Sequence, residues 1–247
     1  MSALILRIIA CVAMLLDHIG YINGNLVLRA IGRIAFPIFV YLLYNGFTHT
    51  SCRWRYALRL GIFAVISQIP FSLLCTNTLT HQTGNVFFTL LAGLLCIWST
   101  DLLRGHKVSK WLCWLPTVIF LVVYKAGWIQ SDYGGRGIVL AIIFYLFDGK
   151  KWWQRMLVVV LSLIAVFYNQ LTSMVIALLL HGTFSIPQLS RWELWQLFSL
   201  GALPLIFLYN GKRGPRPSDK VLAKLTQISF YLFYPLHMIV LWLLTRV

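Results

Sequence analysis

Two ionisable side chains that could handle a proton stand side by side in the first apolar segment of the chain. Asp17 and His18 lie within LILRIIACVAMLLDHIG, residues 4–20, and Arg7 lies near its start. The whole chain has only 6 acidic residues and 6 histidines. Ionisable groups are costly in an apolar segment, so each needs a partner or a function. A histidine here has the chemistry of a general base.

Helical spacing separates the roles of these three residues. Arg7 and His18 are close to three full turns apart, so they project from one face, about 16 Å apart along the axis. Asp17 points about 100° away from His18, so local helix geometry cannot place it behind the imidazole. We therefore expect Asp17 to pair with Arg33 or Arg29, which lie one turn apart in the second apolar segment. Such a pair either ties two helices together or also positions His18 and tunes its protonation.

Other polar side chains recur in apolar surroundings. Tyr234 and His237 share a face of the last apolar segment, and Pro235 between them interrupts its backbone hydrogen bonds. The third segment contains a glutamine, and polar residues precede the fourth and sixth segments: Gln68, Asn85, Asp132 and Tyr133. We expect these residues to line a polar interior, as substrate contacts or as packing. The spacing of the cysteines and histidines predicts no metal site.

Composition sets the class of protein. Of the 247 residues, 60% are hydrophobic and 11% are charged, and apolar stretches long enough to cross a bilayer recur along the whole length. We predict a polytopic, all-α membrane bundle in which residues 1–247 form one domain. Predicted helices lie at 4–22, 27–47, 58–75, 86–103, 111–128, 134–148, 156–182, 194–210 and 225–245. This makes nine spans, with 156–182 as one tilted helix; two short helices there would make ten.

The formal net charge of +15 falls mainly in short loops between apolar segments. These loops contain Arg53, Arg55 and Arg59; Arg104, Lys107 and Lys110; Lys150, Lys151 and Arg155; and Lys212, Arg213, Arg216, Lys220 and Lys224. This distribution is typical of cytoplasmic loops and of contact with lipid headgroups, so it predicts an N-terminus inside and no nucleic-acid partner. The connections on the other side are poor in Lys and Arg.

Several motifs together resemble one protein family. The motifs are MLLDHIGYI, GRIAFPIFVYLLYNGFTHT, RLGIFAVISQIPFSLL, NVFFTLLAGLL, DYGGRGIVLAIIFYLF and FYLFYPLHMIVLWLL, which occur in order along nearly the whole chain. They resemble the TraX family of conjugal-transfer pilin acetylases and relatives. The resemblance implies a transmembrane acyltransferase domain in the bacterial inner membrane. It implies transfer of an acetyl group from cytoplasmic acetyl-CoA to an amine, such as a pilin N-terminus.

TraX-like proteins in turn resemble the family-3 acyltransferases, and that likeness implies roles for individual residues. Those proteins share an Arg/Lys-x10-His pattern with a catalytic histidine, which Arg7 and His18 fit. Their cytoplasmic Arg-x-Arg, associated with acyl-CoA, has a loose counterpart in Arg53-Trp54-Arg55. His18 would then be the base, with Asp17 fixing the local geometry. Arg7 and the loop arginines, including Arg59, would hold acetyl-CoA.

Three questions stay open at this level. The acceptor is a peptide, a glycan or a small amine or hydroxyl compound, and an acetyl-histidine intermediate fits the same residues as direct transfer. A small-solute transporter would use similar interior polar groups. A non-catalytic membrane component of a secretion apparatus would tolerate loss of His18.

Overall fold

The computed structural model describes residues 1–79, 83–105, 112–127, 130–147, 151–182, 191–215 and 219–246. Parts of the predicted basic loops lie outside the described residues, namely Lys107, Lys110, Lys150, Arg216 and the side chains of Lys220 and Lys224. So do residues 111, 128 and 148, at the ends of two predicted helices.

Helices make up the fold throughout the described ranges, and these ranges contain no β-strand. The α-helices are α1 (Ala3–Ile22), α2 (Leu26–Gly32), α3 (Ala35–His49), α4 (Arg53–Thr76), α5 (Val86–Gly105), α6 (Leu115–Lys125), α7 (Gly134–Phe147), α8 (Trp152–Val166), α9 (Tyr168–His181), α10 (Arg191–Gln196), α11 (Ala202–Phe207) and α12 (Lys220–Leu244). Short 3-10 helices occupy Leu112–Trp114 and Leu197–Gly201.

The lengths of these helices confirm a polytopic, all-α bundle. Five helical stretches of the described chain are long and apolar enough to cross a membrane: α1, α2 with α3, α4, α5 and α12. The bent pair α8 and α9 passes the same test as one broken span. Three shorter apolar helical stretches lie at Leu115–Lys125, Gly134–Phe147 and Leu194–Phe207. The apolar segments match the nine predicted positions, but only five or six have the length of a full span.

Three predicted helices are interrupted. The segment 27–47 divides at Arg33 and Ile34 into α2 and α3; Pro37 has no N–H to donate to the Arg33 carbonyl, which weakens the helix there. The prediction of one continuous helix at 156–182 is wrong, because α8 and α9 meet at Phe167 with a bend of 65°. The segment 194–210 is broken by the 3-10 turn at Leu197–Gly201.

The N-terminus is fastened to a later loop, which defines one end of the bundle. Ala3 N–H donates to the Lys212 carbonyl at 2.9 Å, and Asn210 N–H donates to the Met1 carbonyl at 2.9 Å. The first turn of α1 therefore lies beside residues 210–213, and we call this the N-terminal end. At the opposite end, the Trp242 indole N–H donates to the Asn77 side-chain oxygen at 3.0 Å.

Close packing places α1 between α2 and α12, while α12 also packs against α4. The approach of α1 and α2 depends on Gly32. A Cβ added there would lie 2.2 Å from the Asp17 Cβ, so no side chain fits without moving one helix. This contact brings Asp17 against the second apolar segment.

Candidate functional site

A buried ion cluster joins α1 to α2. Asp17 is 8% exposed and accepts from two arginines of the next helical stretch. Arg33 Nη2 lies 2.5 Å from each carboxylate oxygen, and Arg29 Nη1 lies 2.8 Å from Oδ2. The sequence predicted that Asp17 pairs with Arg33 or Arg29, and in the structure both arginines bind its carboxylate. In this apolar setting the carboxylate and guanidinium groups compensate one another.

His18 faces another helix, as the 100° separation from Asp17 requires. Its Nδ1 lies 2.8 Å from Nε2 of His237 on α12. The two rings are stacked, with centroids 5.0 Å apart and an interplanar angle of 24°. His237 is itself 7% exposed, and its Nδ1 lies 2.6 Å from the Phe233 carbonyl oxygen, one turn earlier on α12. Two polar contacts on different sides, Asp17 with α2 and His18 with α12, thus fix the rotation of α1.

A polar cavity of about 520 Å³ opens at the N-terminal end of the bundle, and we call it the vestibule. Arg7, Arg59, Arg213 and His49 contribute to its lining. Asn45, Thr226 and Gln227 add neutral polar groups. The Arg59 Nε is buried without a hydrogen-bond partner among the described residues. Such a set of cations and donors suits an anionic ligand.

A narrower, mostly apolar channel of about 110 Å³ adjoins the vestibule. Arg7, Tyr56 and Tyr231 line both spaces, and Met14 and Tyr234 line the channel. The Tyr234 ring is buried and lies 6.4 Å, between centroids, from the His18 ring and 5.9 Å from the His237 ring. The cavities therefore run from the vestibule, past Arg7 and Met14 of α1, to Tyr234 beside the histidine pair. Neither His18 nor His237 belongs to either lining.

The three loop arginines differ in position. Arg53 forms an ion pair with Asp101 at 2.7 Å and lies over the Phe47 ring. Arg55 is exposed on α4. Of the three, Arg59 alone lines the vestibule. Arg59 and Arg7 thus line the vestibule, whereas Arg53 and Arg55 lie outside both cavity linings. Binding of acetyl-CoA by these arginines stays a prediction.

The remaining polar candidates serve the packing of helix ends. Asn85 donates from Nδ2 to the Ala64 carbonyl at 2.7 Å and to Gln68 Oε1 at 3.0 Å, and its own Oδ1 accepts from Phe87 N–H at the start of α5. Gln68 in turn donates to the Thr83 carbonyl at 3.1 Å. These two residues form a structural network between α4 and α5.

The polar pair before α7, Asp132 and Tyr133, lies near the ion cluster, within electrostatic reach of Arg33. Tyr133 stacks on Phe36, with ring centroids 3.6 Å apart. Asp132 is held through its backbone N–H, which donates to the Gly84 carbonyl at 2.9 Å. Neither lines the vestibule or the channel.

Sequence reasoning missed the contact between His18 and His237, which are 219 residues apart. It also missed the aromatic walls of the channel. One signal was present: Tyr231, Tyr234 and His237 recur at intervals of three residues in FYLFYPLH, which forms a single stripe on α12. The stripe leads from the channel mouth to the histidine pair.

Comparisons with known proteins were made for the whole chain. The family model described as TraX protein matches residues 2–245. A probable fimbrial assembly protein FimC, serogroup H1, from Dichelobacter nodosus is 29% identical over 259 residues, covering 97% of this chain and 94% of that protein. An uncharacterized protein of Rickettsia prowazekii (strain Madrid E) is 27% identical over 150 residues, covering 60% of this chain and 56% of that protein. No solved structure matches. With a match over nearly its full length, the chain belongs to the TraX family.

Proposed function

We propose that this protein is an acetyltransferase of the bacterial inner membrane that moves an acetyl group from acetyl-CoA to an amine. The observation that carries the proposal is the cavity path from a cationic vestibule to Tyr234, whose ring lies 6.4 Å, between centroids, from the ring of His18. The vestibule has the charge for the phosphates of coenzyme A, and the channel has the apolar lining for an acylated pantetheine arm. Family membership supports the same activity.

The donor enters from the vestibule. The vestibule is lined by three arginines, Arg7, Arg59 and Arg213. Charge-assisted hydrogen bonds to phosphate oxygens are the strongest polar contacts that arginine side chains make. The basic residues near this end support a cytoplasmic location for it, on the side where acetyl-CoA is made, and hence an N-terminus inside. Arg7 lines both the vestibule and the channel, which suits a residue that binds the donor near its arm.

Acetyl transfer then needs one base. The lone pair of a neutral acceptor amine attacks the thioester carbonyl carbon, a C–N bond forms, and the C–S bond breaks with the electron pair on sulfur. His18 accepts the proton that the amine loses and returns it to the coenzyme A thiolate. A positioned base of this kind contributes about 10² to 10⁴ in rate.

The acceptor is proposed as the N-terminal amine of a pilin or fimbrial subunit. One relative carries the name of a probable fimbrial assembly protein, and an amine presented by a membrane-resident subunit could reach the histidine pair from within the bilayer. Glycan and small amine acceptors are the competing substrates in the test.

The test uses purified protein in nanodiscs, labelled acetyl-CoA and synthetic pilin N-terminal peptides, with a glycan and a small amine as competing acceptors and mass spectrometry of the products. We expect label on the peptide α-amine, and no transfer by His18→Ala protein that melts like the wild type. A peptide with a blocked N-terminus is the matched acceptor control. Near wild-type transfer by folded His18→Ala protein would contradict the mechanism. Solute flux without consumption of acetyl-CoA would identify a transporter instead.

A further inference from the structure

The contact between the two histidines determines which ring nitrogens carry hydrogen. A carbonyl oxygen has no hydrogen to give, so His237 Nδ1, at 2.6 Å from the Phe233 oxygen, must be the N–H donor of that bond. In a neutral imidazole the other nitrogen then carries only a lone pair. His237 Nε2 is therefore an acceptor, directed at His18.

The same reasoning passes to the next ring. His18 Nδ1 lies 2.8 Å from His237 Nε2, and an acceptor at that distance needs a donor. His18 Nδ1 must carry its hydrogen, which leaves the lone pair of the neutral ring on Nε2. Neutral rings are favoured because the surrounding bundle is apolar, with His237 buried and His18 half-buried, and because two cationic rings at this distance would repel.

We infer that His237 is a positioning residue that holds His18 in the Nδ1–H form, so that Nε2 of His18 is the nitrogen that takes the proton of the acceptor. The inference rests on the proposed function for the role of that proton transfer. His237 does not touch the reacting atoms in this scheme. It acts by fixing the tautomer and the plane of the neighbouring ring.

The surroundings make His237 a rigid support. Its Nδ1 is anchored to a carbonyl of its own helix, and its ring is stacked on Phe233 with centroids 4.9 Å apart. Tyr234 packs edge-on against it at 5.9 Å. The ring position is thus set by contacts within α12 itself.

The hydrogen bond between His18 and His237 also supports the charged state that forms when His18 accepts a proton. When His18 Nε2 takes the acceptor proton, the ring becomes an imidazolium whose Nδ1–H still donates to His237 Nε2. That hydrogen can sit on either nitrogen of the short bond, so the positive charge is shared by two rings while the Nδ1–H of His237 stays on the Phe233 carbonyl. No proton leaves the pair until His18 Nε2 returns one to the thiolate.

Nitrogen-15 NMR of histidine-labelled protein in nanodiscs tests the tautomers without any enzyme assay. We expect neutral His18 with hydrogen on Nδ1 and a lone pair on Nε2, assigned by loss of its signals in His18→Ala. In His237→Leu protein we expect His18 to become a mixture of both tautomers. A wild-type His18 with hydrogen on Nε2 would overturn the inference.

Kinetic measurements provide a second test of the role of His237. By analogy with the hydrogen-bond partners that orient metal-binding histidines, His237→Leu should lower kcat about 10- to 100-fold, with the KM for acetyl-CoA unchanged. His237→Gln keeps an acceptor oxygen for His18 Nδ1–H and should restore most of kcat. Equal activity of wild-type and folded His237→Leu protein would overturn the role. If the wild type has the expected tautomer but acetylates no amine, the proposed function fails, whereas the assignment of the His18 tautomer to its contact with His237 stands.

Discussion

At the scale of single residues, the central feature of this protein is the turn of α1 that carries Asp17 and His18, which contact two different helices. Asp17 faces α2 and His18 faces α12. The carboxylate does not touch the imidazole, so its influence on His18 is exerted through the orientation of α1. In the proposed mechanism the site therefore consists of a base, His18, a positioning ring, His237, and an ion cluster that fixes the rotation of α1.

The ion cluster should be energetically coupled. Asp17→Asn removes the anion shared by two guanidinium groups and should destabilise the protein by about 3–5 kcal/mol. In double-mutant cycles in detergent melting, coupling of Asp17 with Arg33→Gln should exceed coupling with Arg29→Gln, because Arg33 contacts both oxygens and is more buried. Strictly additive effects in both cycles would contradict the observed contacts.

The same double mutant separates a tie between helices from a functional pair. Asp17→Asn with Arg33→Gln should recover part of the stability that Asp17→Asn loses, since the charge imbalance is reduced. If the cluster also orients His18, turnover should stay low in protein whose melting temperature has recovered. Recovery of turnover together with stability would show that the cluster is only structural.

At the scale of helices, the site depends on how closely α1 and α2 approach. Gly32→Ala would place a methyl group against Asp17, and overpacking of this kind costs about 1–3 kcal/mol or more. We expect a lower melting temperature and reduced turnover. Gly61→Ala on α4 is the matched control: the nearest atom, Leu91 Cδ2, lies 3.8 Å from the added Cβ, so this variant should melt near the wild type.

A result in which Gly32→Ala and Gly61→Ala melt alike would contradict the close contact between α1 and α2. Loss of turnover without loss of stability in Gly32→Ala would show instead that a small shift of α1 is enough to misplace His18.

Two arginines of α4, Arg55 and Arg59, lie one turn apart but differ in their surroundings. Arg59→Gln should raise the KM for acetyl-CoA about tenfold, the cost of a lost charge-assisted hydrogen bond, and should reduce the salt sensitivity of donor binding. Arg55→Gln is the matched control, because Arg55 is exposed and does not line the vestibule. If the two substitutions had equal effects, coenzyme A would bind at the charged surface of the protein and not in the vestibule.

At the scale of the whole molecule, the position of the vestibule distinguishes the two ends of the bundle. The vestibule opens at the end that holds the N-terminus and the loop at 210–213. In sealed vesicles with a membrane-anchored pilin peptide, acetyl-CoA should support transfer only when supplied at that end, since the donor cannot cross the bilayer. Transfer from the other end, next to Asn77, would reverse the proposed orientation. Vesicles permeabilised with detergent are the control for total activity.

Much of this architecture follows from the sequence because its causes are local. Apolar length and the position of charges set where helices occur, and 3.6 residues per turn place Arg7 and His18 on one face and Asp17 on another. Helix interruptions were harder to predict. Pro37 weakens one hydrogen bond of the second segment, yet it does not by itself reveal whether the helix bends or ends, and the bend at Phe167 has no comparable mark.

Contacts between distant residues were decided by the tertiary structure. The sequence established that Asp17 needs a cation, but packing at Gly32 brings both Arg29 and Arg33 to it. It predicted a polar role for His237 without indicating that this ring meets His18, because nothing local fixes how α1 and α12 are rotated against each other. The choice of Arg59 over Arg55 likewise depends on packing, because the two share one side of α4 and only Arg59 lies far enough along the helix to line the vestibule. Periodicity determines the faces of a helix, and only packing determines what each face meets.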